Sequence, residues 1–366
     1  MPIIYVDSDP CRYSINQLND PSLIQITDIN RFLTAEDSTK IAVFHIPFPY
    51  ELNAAGTEFE RKINQVIGHC DKVIVLGSEL HRTTVDFITR YYPAKIQFCL
   101  CGFVDNIKST AWMDWFITSC YFYKNRPNIL KNLNPYSVKP KVFDILLGMP
   151  KAHRNAAYNY IKENNLDDKV IMTYLGLPDQ QGYLKSITPG LNHEGWIWED
   201  QGLEIIDNVT HIQWTVTQVR YHGQQMSLSQ VVPLNIYNQT AYTVVAETNF
   251  DNYYSFYTEK IVKPILAERL FLVFSGQHYL RNLRSLGFKT FDEIIDETYD
   301  TVWDNEQRWQ LVCDQMQYLL EQPQEEILAK IKPIVEHNKR VMLETDWWSD
   351  FTIEFQEFLR DHGVQN

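Results

Sequence analysis

Two segments of the sequence place basic residues where an apolar run gives way to an amphipathic stretch. The first is Val142–Leu147, followed by a Gly/Pro turn and a helical pattern that opens with Lys151, His153 and Arg154. A helix N-terminus already carries partial positive charge, so cations are unfavourable there unless they share an anion. The segment therefore favours a phosphate site, since parallel sheets bind anions at such junctions. The alternative is that Lys151 and Arg154 are solvated surface residues.

The second segment has the same order of elements and carries carboxylates as well. The apolar run Tyr242–Ala246 ends at Glu247, and a short polar and aromatic loop then leads to Thr258, Glu259 and Lys260. Thr258 is a good helix N-cap, Glu259 suits the first helical turn, and Lys260 is placed to face a bound phosphate. A capped amphipathic helix is a complete structural explanation of the last three. It does not explain the glutamate at the end of the strand.

Together these segments resemble the donor-binding half of the α-1,3-fucosyltransferase family and related glycosyltransferases of the GT-B fold. The resemblance covers about residues 142–300, and the first half of the chain matches only in overall pattern. The motifs that carry it are Arg154-Asn-Ala-Ala-Tyr158, Ala246-Glu247-Thr248 and Tyr257-Thr-Glu-Lys260.

The resemblance implies a role for each matching residue. Arg154 and Lys260 would bind the phosphates of a nucleotide sugar, and Tyr257 and Glu259 would contact its nucleoside or sugar part. Glu247 would take the place of a donor-side glutamate, although Thr248 follows it where the family commonly has asparagine. With Lys151 from the first junction, these residues form the predicted donor site.

Inverting glycosyl transfer also needs a carboxylate that takes the proton of the acceptor hydroxyl, and positive charge that stabilises the departing nucleotide diphosphate. Arg154 and Lys260 would supply the charge without a metal. For the base, the resemblance indicates a residue after a strand of the N-terminal half. Glu51, which follows the run Ile41–Tyr50, is the first candidate, and Glu79 is the second. For either one, an exposed loop carboxylate is the competing explanation.

Other catalytic motifs are weak or missing. Asp7-Ser8-Asp9 spells the Asp-x-Asp of metal-dependent transferases, but it lies at the extreme start and is interpreted as a turn or as part of an acceptor cleft. There is no HExxH, GxSxG, GxxxxGK[ST] or GxGxxG sequence, and so no motif for zinc proteases, serine hydrolases, P-loop enzymes or dinucleotide enzymes. We therefore expect no metal and no cofactor besides the nucleotide-sugar donor.

Short apolar runs alternate with amphipathic helical stretches through most of the chain, which predicts an α/β protein with parallel sheets. The resemblance refines this to two Rossmann-like domains facing each other across a cleft (GT-B). The predicted domains are an acceptor-side domain over 1–135, a nucleotide-sugar domain over 136–345 with an insertion near 176–232, and a C-terminal helix over 346–366 that packs back on the first domain. The boundary is set by the proline-containing polar stretch 125–141.

Composition limits the function classes. The chain has 366 residues, 45% of them hydrophobic and 22% charged, which is typical of a folded protein of about two domains. The net charge is −13, which argues against binding to phosphate backbones. Six cysteines without a CxxC pair, and no basic and apolar leader, indicate a reducing compartment. With no run long enough to span a membrane, we expect a cytoplasmic protein.

The sequence therefore predicts a glycosyltransferase that moves a sugar from a GDP- or UDP-sugar, with GDP-fucose implied by the resemblance, to a carbohydrate hydroxyl. Its partners would be the nucleotide sugar and a glycan or other hydroxyl acceptor. Two alternatives stay open. One is transfer of sugar to a modified DNA base, as in some viral enzymes, and the other is a non-catalytic protein that binds a nucleotide sugar or a glycan.

Overall fold

The chain is an α/β protein built around two mainly parallel sheets, which confirms the class predicted from the sequence. A computed structural model describes residues 3–6, 24–35, 39–46, 58–77, 95–100, 102–104, 109–111, 114–148, 150–174, 185–186, 203–210, 215–250 and 252–361. Within this part of the chain, no helix is both long and apolar enough to cross a membrane. Cys70, Cys120 and Cys313 are buried free thiols.

The strands and helices of the described residues follow in chain order. The strands are β1 (Ile3–Val6), β2 (Ile24–Ile26), β3 (Lys40–Ile46), β4 (Lys72–Gly77), β5 (Ile96–Leu100), β6 (Gly102–Val104), β7 (Ser109–Ala111), β8 (Lys141–Leu146), β9 (Val170–Tyr174), β10 (Lys185–Ser186), β11 (Leu203–Thr210), β12 (Thr215–Tyr221), β13 (Gln224–Ser227), β14 (Thr240–Ala246), β15 (Tyr254–Phe256) and β16 (Phe271–Phe274). The α-helices are α1 (Ile29–Thr34), α2 (Glu58–Val66), α3 (Asp114–Lys124), α4 (Ala152–Glu163), α5 (Leu234–Gln239), α6 (Glu259–Leu266), α7 (Tyr279–Ser285), α8 (Asn305–Glu321), α9 (Gln324–Glu344) and α10 (Trp347–Asp361).

The chain divides into two compact units. The first comprises Met1–Ile117, Tyr253–Phe256 and Asp346–Asn366, and the second comprises Thr118–Asn252 and Tyr257–Thr345.

The first unit contains a parallel sheet in the order β2-β1-β3-β4-β5-β7. In its centre Val43 of β3 lies between Val6 of β1 and Ile74 of β4, and all three are buried. Such near-continuous apolar runs are expected of parallel strands, because helices cover both faces of the sheet. The order reverses between β1 and β3, which is the pattern of a doubly wound sheet.

A short antiparallel ribbon adds to the first unit. β15 pairs with β6, and a Cβ atom on Gly102 would lie 1.8 Å from the carbonyl oxygen of Ser255. Only glycine, which has no Cβ atom, allows this approach between the two backbones, so the ribbon requires glycine at position 102.

We expect Gly102→Ala to destabilise the first unit by about 1–3 kcal/mol, because the two strands must separate to admit a methyl group. Gly68→Ala is the matched control, since a Cβ atom there meets nothing within 4 Å, and it should change stability by less than about 0.5 kcal/mol. Denaturant unfolding of both variants measures the difference. If Gly102→Ala and Gly68→Ala unfold with the same free energy, the close approach of the two strands at Gly102 does not contribute to stability.

The second unit has a sheet in the order β10-β9-β8-β14-β16, in which β9, β8, β14 and β16 are parallel and β10 is antiparallel. Every residue of β14 is buried, with β8 on one side and β16 on the other. The carboxyl ends of β8 and β14 therefore lie side by side at one edge of the sheet. α4 follows β8 and α6 follows β14 in the chain, so both predicted junctions belong to this edge.

A separate antiparallel sheet, β11-β12-β13, belongs to the second unit. It occupies part of the stretch 176–232, for which the sequence shows no clear period. A short 3-10 helix, Leu228–Gln230, follows β13, and the Ser227 and Gln230 side chains form a capping box there. This 3-10 helix packs against α6, which makes it relevant to the candidate site.

Candidate functional site

Three side chains at the start of α4 reach the end of β14. Lys151 Nζ donates a hydrogen bond to the Thr248 carbonyl oxygen (2.5 Å), and Arg154 Nη2 donates to the Glu247 carbonyl oxygen (3.1 Å). His153 Nε2 lies 2.7 Å from the same Glu247 oxygen. The basic residues that the sequence places at this helix N-terminus thus converge on two adjacent peptide groups.

His153 is a neutral member of this group. Its ring is completely buried, and Nε2 faces a carbonyl oxygen, which can only accept, so Nε2 carries the proton. Burial lowers the pKa of His153 well below its ordinary value, and the charge of Arg154 lowers it further. The ring packs on Phe250, with 4.8 Å between ring centroids. His153 therefore adds no positive charge, and the charge at the start of α4 comes from Lys151 and Arg154.

The start of α6 has the cap that the sequence predicts. The Thr258 hydroxyl accepts a hydrogen bond from the Lys260 backbone N–H (3.3 Å). The ammonium group of Lys260 donates to Thr248 Oγ1 (2.9 Å) and to Glu259 Oε1 (2.9 Å). Thr248 thus accepts from both lysines, through its carbonyl oxygen from Lys151 and through its hydroxyl from Lys260.

Glu247 joins β14 to α6. Its carboxylate accepts from Thr248 N (2.9 Å), from the Thr258 hydroxyl (2.9 Å) and N–H (3.4 Å), and from the Tyr279 hydroxyl (3.0 Å). Burial raises the pKa of this carboxyl group, although the Lys260 charge opposes the rise. These contacts make Glu247 the residue that orients the N-terminus of α6.

Tyr257 is buried inside the second unit, where it contacts Tyr279. Its side chain is fully buried, its hydroxyl donates to the Tyr279 carbonyl oxygen (2.6 Å), and its ring lies 4.5 Å from that of Tyr279. The structure thus places Tyr257 behind the start of α6, where it supports the helix.

Glu259 and Lys263 form the inner side of the same helix. Burial alone would raise the pKa of Glu259, but the charges of Lys260 and Lys263 lower it below its ordinary value. Lys263 Nζ donates to the Ser229 carbonyl oxygen (2.8 Å), and burial lowers the pKa of Lys263 to about 8. Sequence reasoning missed Lys263. Its position four residues after Glu259, on the same helical face, was the available signal.

A buried arginine holds the loops of this sheet edge. The Arg308 guanidinium donates to the carbonyl oxygens of Ser275 (2.9 Å), Val302 (2.8 Å) and Phe250 (3.4 Å). It fastens the loop after β14 to the loop after β16, and Phe250 in turn packs on His153. Nothing in the sequence around Arg308 signals this role, because the carbonyls of Ser275 and Phe250 lie 33 and 58 residues away in the chain.

The charges at this edge are unequal. Four basic side chains lie here: Lys151, Arg154, Lys260 and Lys263. The carboxyl groups are two, that of Glu247, directly after β14, and that of Glu259, the first residue of α6. Lys260 is partly exposed, with 21% of its side chain accessible, whereas Arg154 and Lys263 are buried. Lys151 is partly buried. The arrangement can therefore attract an anion and bind it through ammonium groups at the start of two helices.

The residues predicted for the N-terminal half lie outside the described part of the chain. These are the candidate bases Glu51 and Glu79, and the acidic pair Asp7 and Asp9. Their roles stay predictions. All six residues of the predicted donor site are described, and all belong to the second unit. The chain matches no known protein family, no curated protein and no solved structure at a significant level.

Proposed function

We propose that this chain is a glycosyltransferase that moves a sugar from a nucleotide-diphosphate sugar, GDP- or UDP-linked, to a hydroxyl of a carbohydrate acceptor, with inversion and without a metal. The observation that carries the proposal is the convergence of Lys151, Arg154 and Lys260 on the adjacent residues Glu247 and Thr248, at the carboxyl edge of a parallel sheet. Open α/β sheets bind their ligands at this edge.

The charge of the site supports a diphosphate as the ligand. The leaving group of the proposed reaction gains negative charge as the sugar–oxygen bond breaks, and fixed cations in a poorly solvated site stabilise that charge. Lys260 and Lys151 would contact the phosphate oxygens. Arg154 is buried and donates to the Glu247 carbonyl oxygen. Its positive charge would attract the phosphates from a greater distance, and its hydrogen bond would fix the start of the loop after β14.

The acceptor side of the proposal rests on the sequence. Glu51, or else Glu79, would take the proton from the acceptor hydroxyl while that oxygen attacks the anomeric carbon. The sugar then passes to the acceptor and the nucleotide diphosphate leaves with the bonding electron pair. In this proposal the two units are the Rossmann-like domains of a GT-B enzyme, with the donor bound by the second.

The first test is a thermal-shift series with GDP-, UDP-, CMP- and dTDP-sugars. A diphosphate-linked class should stabilise the protein, by about 2.7 kcal/mol when its concentration is 100 times the dissociation constant. The CMP-sugars, which carry a single phosphate, should stabilise it less. No shift with any of the four classes would contradict the donor site.

The second test is turnover with the stabilising donor and a panel of glycan acceptors. Glu51→Gln or Glu79→Gln should abolish transfer and leave donor binding unchanged, because the amide cannot accept a proton. If neither change affects turnover, both base assignments are wrong. Binding without turnover on any acceptor would favour a non-catalytic nucleotide-sugar protein. Transfer only to modified duplex DNA, with strong salt dependence, would favour a DNA-base transferase.

A further inference from the structure

Lys263 is a buried cation that the proposed reaction does not use. It lies one helical turn after Lys260 and four residues after Glu259, inside α6, and its ammonium group donates to the Ser229 carbonyl oxygen of the 3-10 helix Leu228–Gln230 (2.8 Å). Residues three and four apart on a helix are neighbours in space. Lys263 is therefore close to the pair formed by Glu259 and Lys260.

The charged groups that act on Lys263 come from three elements. They are Glu259 and Lys260 of its own helix, Asp144 of β8 and Glu247 after β14. Two further described elements pack against α6, the 3-10 helix and α9, and their buried residues are uncharged. The 3-10 helix is Leu-Ser-Gln, and the buried residues of α9 are Ile327, Leu328, Ile331, Val335, Asn338 and Met342.

The charge of Lys263 affects the anion site through Glu259, which is paired with Lys260. Glu259 Oε1 accepts from Lys260 Nζ at 2.9 Å, and taken alone that pair is neutral. A neutral pair attracts a phosphate weakly. With Lys263 charged four residues further along the same helix, the three groups carry a net positive charge. The Lys263 charge continues to stabilise the Glu259 carboxylate through space when Lys260 turns to an incoming anion.

We propose that Lys263 is a positioning residue of the anion site: its buried ammonium group balances Glu259 from within and leaves Lys260 available to a phosphate group. The inference rests on the proposed function only in assuming that a nucleotide diphosphate binds at Lys260. Because burial lowers the pKa of Lys263 to about 8, its charge is present near neutral pH and is lost at alkaline pH. A bound anion one turn away favours the protonated form.

Two effects follow for binding of GDP to the wild-type protein. The affinity should fall about tenfold between pH 7.5 and pH 9.5, as one charge near the phosphates is lost. Between pH 8 and 9.5 binding should also take up part of a proton, because the complex holds the Lys263 proton more tightly than the free protein does. Titration calorimetry in two buffers of different ionisation enthalpy measures both effects.

Two variants separate charge from packing. Lys263→Met should bind GDP more weakly than wild type at pH 7.5, with neither the pH dependence nor the proton uptake. Lys263→Arg keeps its charge across the range, so it should bind at both pH values with a flat profile. A purely structural role would weaken binding in Lys263→Met but would keep the pH dependence.

The outcomes are distinguishable. If GDP binds to wild type with the same affinity at both pH values and without proton uptake, the role of Lys263 is wrong and the proposed function stands. If no nucleotide diphosphate binds at any pH, both are wrong. The proton uptake is measured on wild type alone, so the inference is tested even if a variant does not fold.

Discussion

Replacing Arg269 with methionine should lower the free energy of unfolding of the second unit by about 3–5 kcal/mol. Arg269 is completely buried beside Asp144, with Nη2 at 3.1 Å from Asp144 Oδ1. Its other nitrogens donate to Thr243 Oγ1 (2.9 Å) and to the carbonyl oxygens of Tyr237 (2.9 Å) and Thr240 (2.8 Å). Methionine fills similar volume but leaves the buried Asp144 carboxylate without its ion-pair partner.

The network also connects the strands that lead to the candidate site. Asp144 lies in β8 and Thr243 in β14, and the Thr243 hydroxyl donates to Asp144 Oδ1 (2.9 Å). Both strands end at the edge where Lys151 contacts Thr248 and Arg154 contacts Glu247. Loss of Arg269 should therefore reduce donor binding along with stability.

Denaturant unfolding gives the magnitude, and Arg220→Met is the matched control. Arg220 pairs with Glu204 at 2.7 Å, but the two side chains are 53% and 64% exposed, so its loss should cost less than about 1 kcal/mol. Equal effects of the two changes would contradict the importance of the buried pair.

The cost of Arg269→Met should also depend on pH. Burial raises the pKa of Asp144 even with Arg269 present, and Arg269 opposes the rise. Without the guanidinium the folded-state pKa rises further above the unfolded value, so the folded variant binds more protons than the unfolded chain and loses stability as pH rises. We expect the variant to be less destabilised at pH 4 than at pH 7. A second change, Asp144→Leu, should restore part of the lost stability.

The parts of the fold that the sequence predicts are those with a long local signal. The C-terminal helix expected over 346–366 is observed at Trp347–Asp361, and the strand expected at Tyr242–Ala246 extends over Thr240–Ala246. A helix of 15 residues repeats its apolar pattern over several turns, and a buried strand shows as an unbroken apolar run.

The elements that the sequence missed are short or depend on distant partners. β15 has three residues, was interpreted as part of a polar and aromatic loop, and pairs with β6 about 150 residues earlier. Neither its length nor its composition indicates that partner. The sheet β11-β12-β13 alternates poorly, and the register shift between Ile205 and Asp207 interrupts its period. Both cases depend on pairing between strands, which local sequence does not encode.

The same distinction holds in the candidate site. The Thr258 cap is confirmed, because capping is decided within three residues. The contacts of Glu247 with Thr258 and Tyr279 span 11 and 32 residues and were not foreseen. A motif can thus identify a residue and its neighbours in the chain. Whether its side chain faces a ligand or supports a helix depends on tertiary contacts.

The second large effect is expected from Lys260→Met, which should weaken GDP binding by about 100-fold. A charge-assisted hydrogen bond contributes about 1.5–3 kcal/mol, or roughly tenfold to over 100-fold in affinity. The upper part of this range applies because the change also removes the ion pair of the buried Glu259 carboxylate, bonded to Lys260 at 2.9 Å in the wild type, and so leaves more negative charge near the phosphates. Titration calorimetry with GDP at pH 7.5 measures the loss.

Lys169→Met is the control for this change, because it removes the same charge from the same unit. Lys169 pairs with Asp168 at 3.5 Å on the surface, with 52% of its side chain exposed, so its loss should leave GDP affinity within about twofold, since surface charges are screened by salt. If Lys260→Met and Lys169→Met bind GDP with equal affinity, the phosphates do not bind at Lys260. Weak binding by Lys260→Met with normal unfolding would locate the diphosphate at the N-terminus of α6, because a ligand contact was then lost while the helix and its Thr258 cap remained.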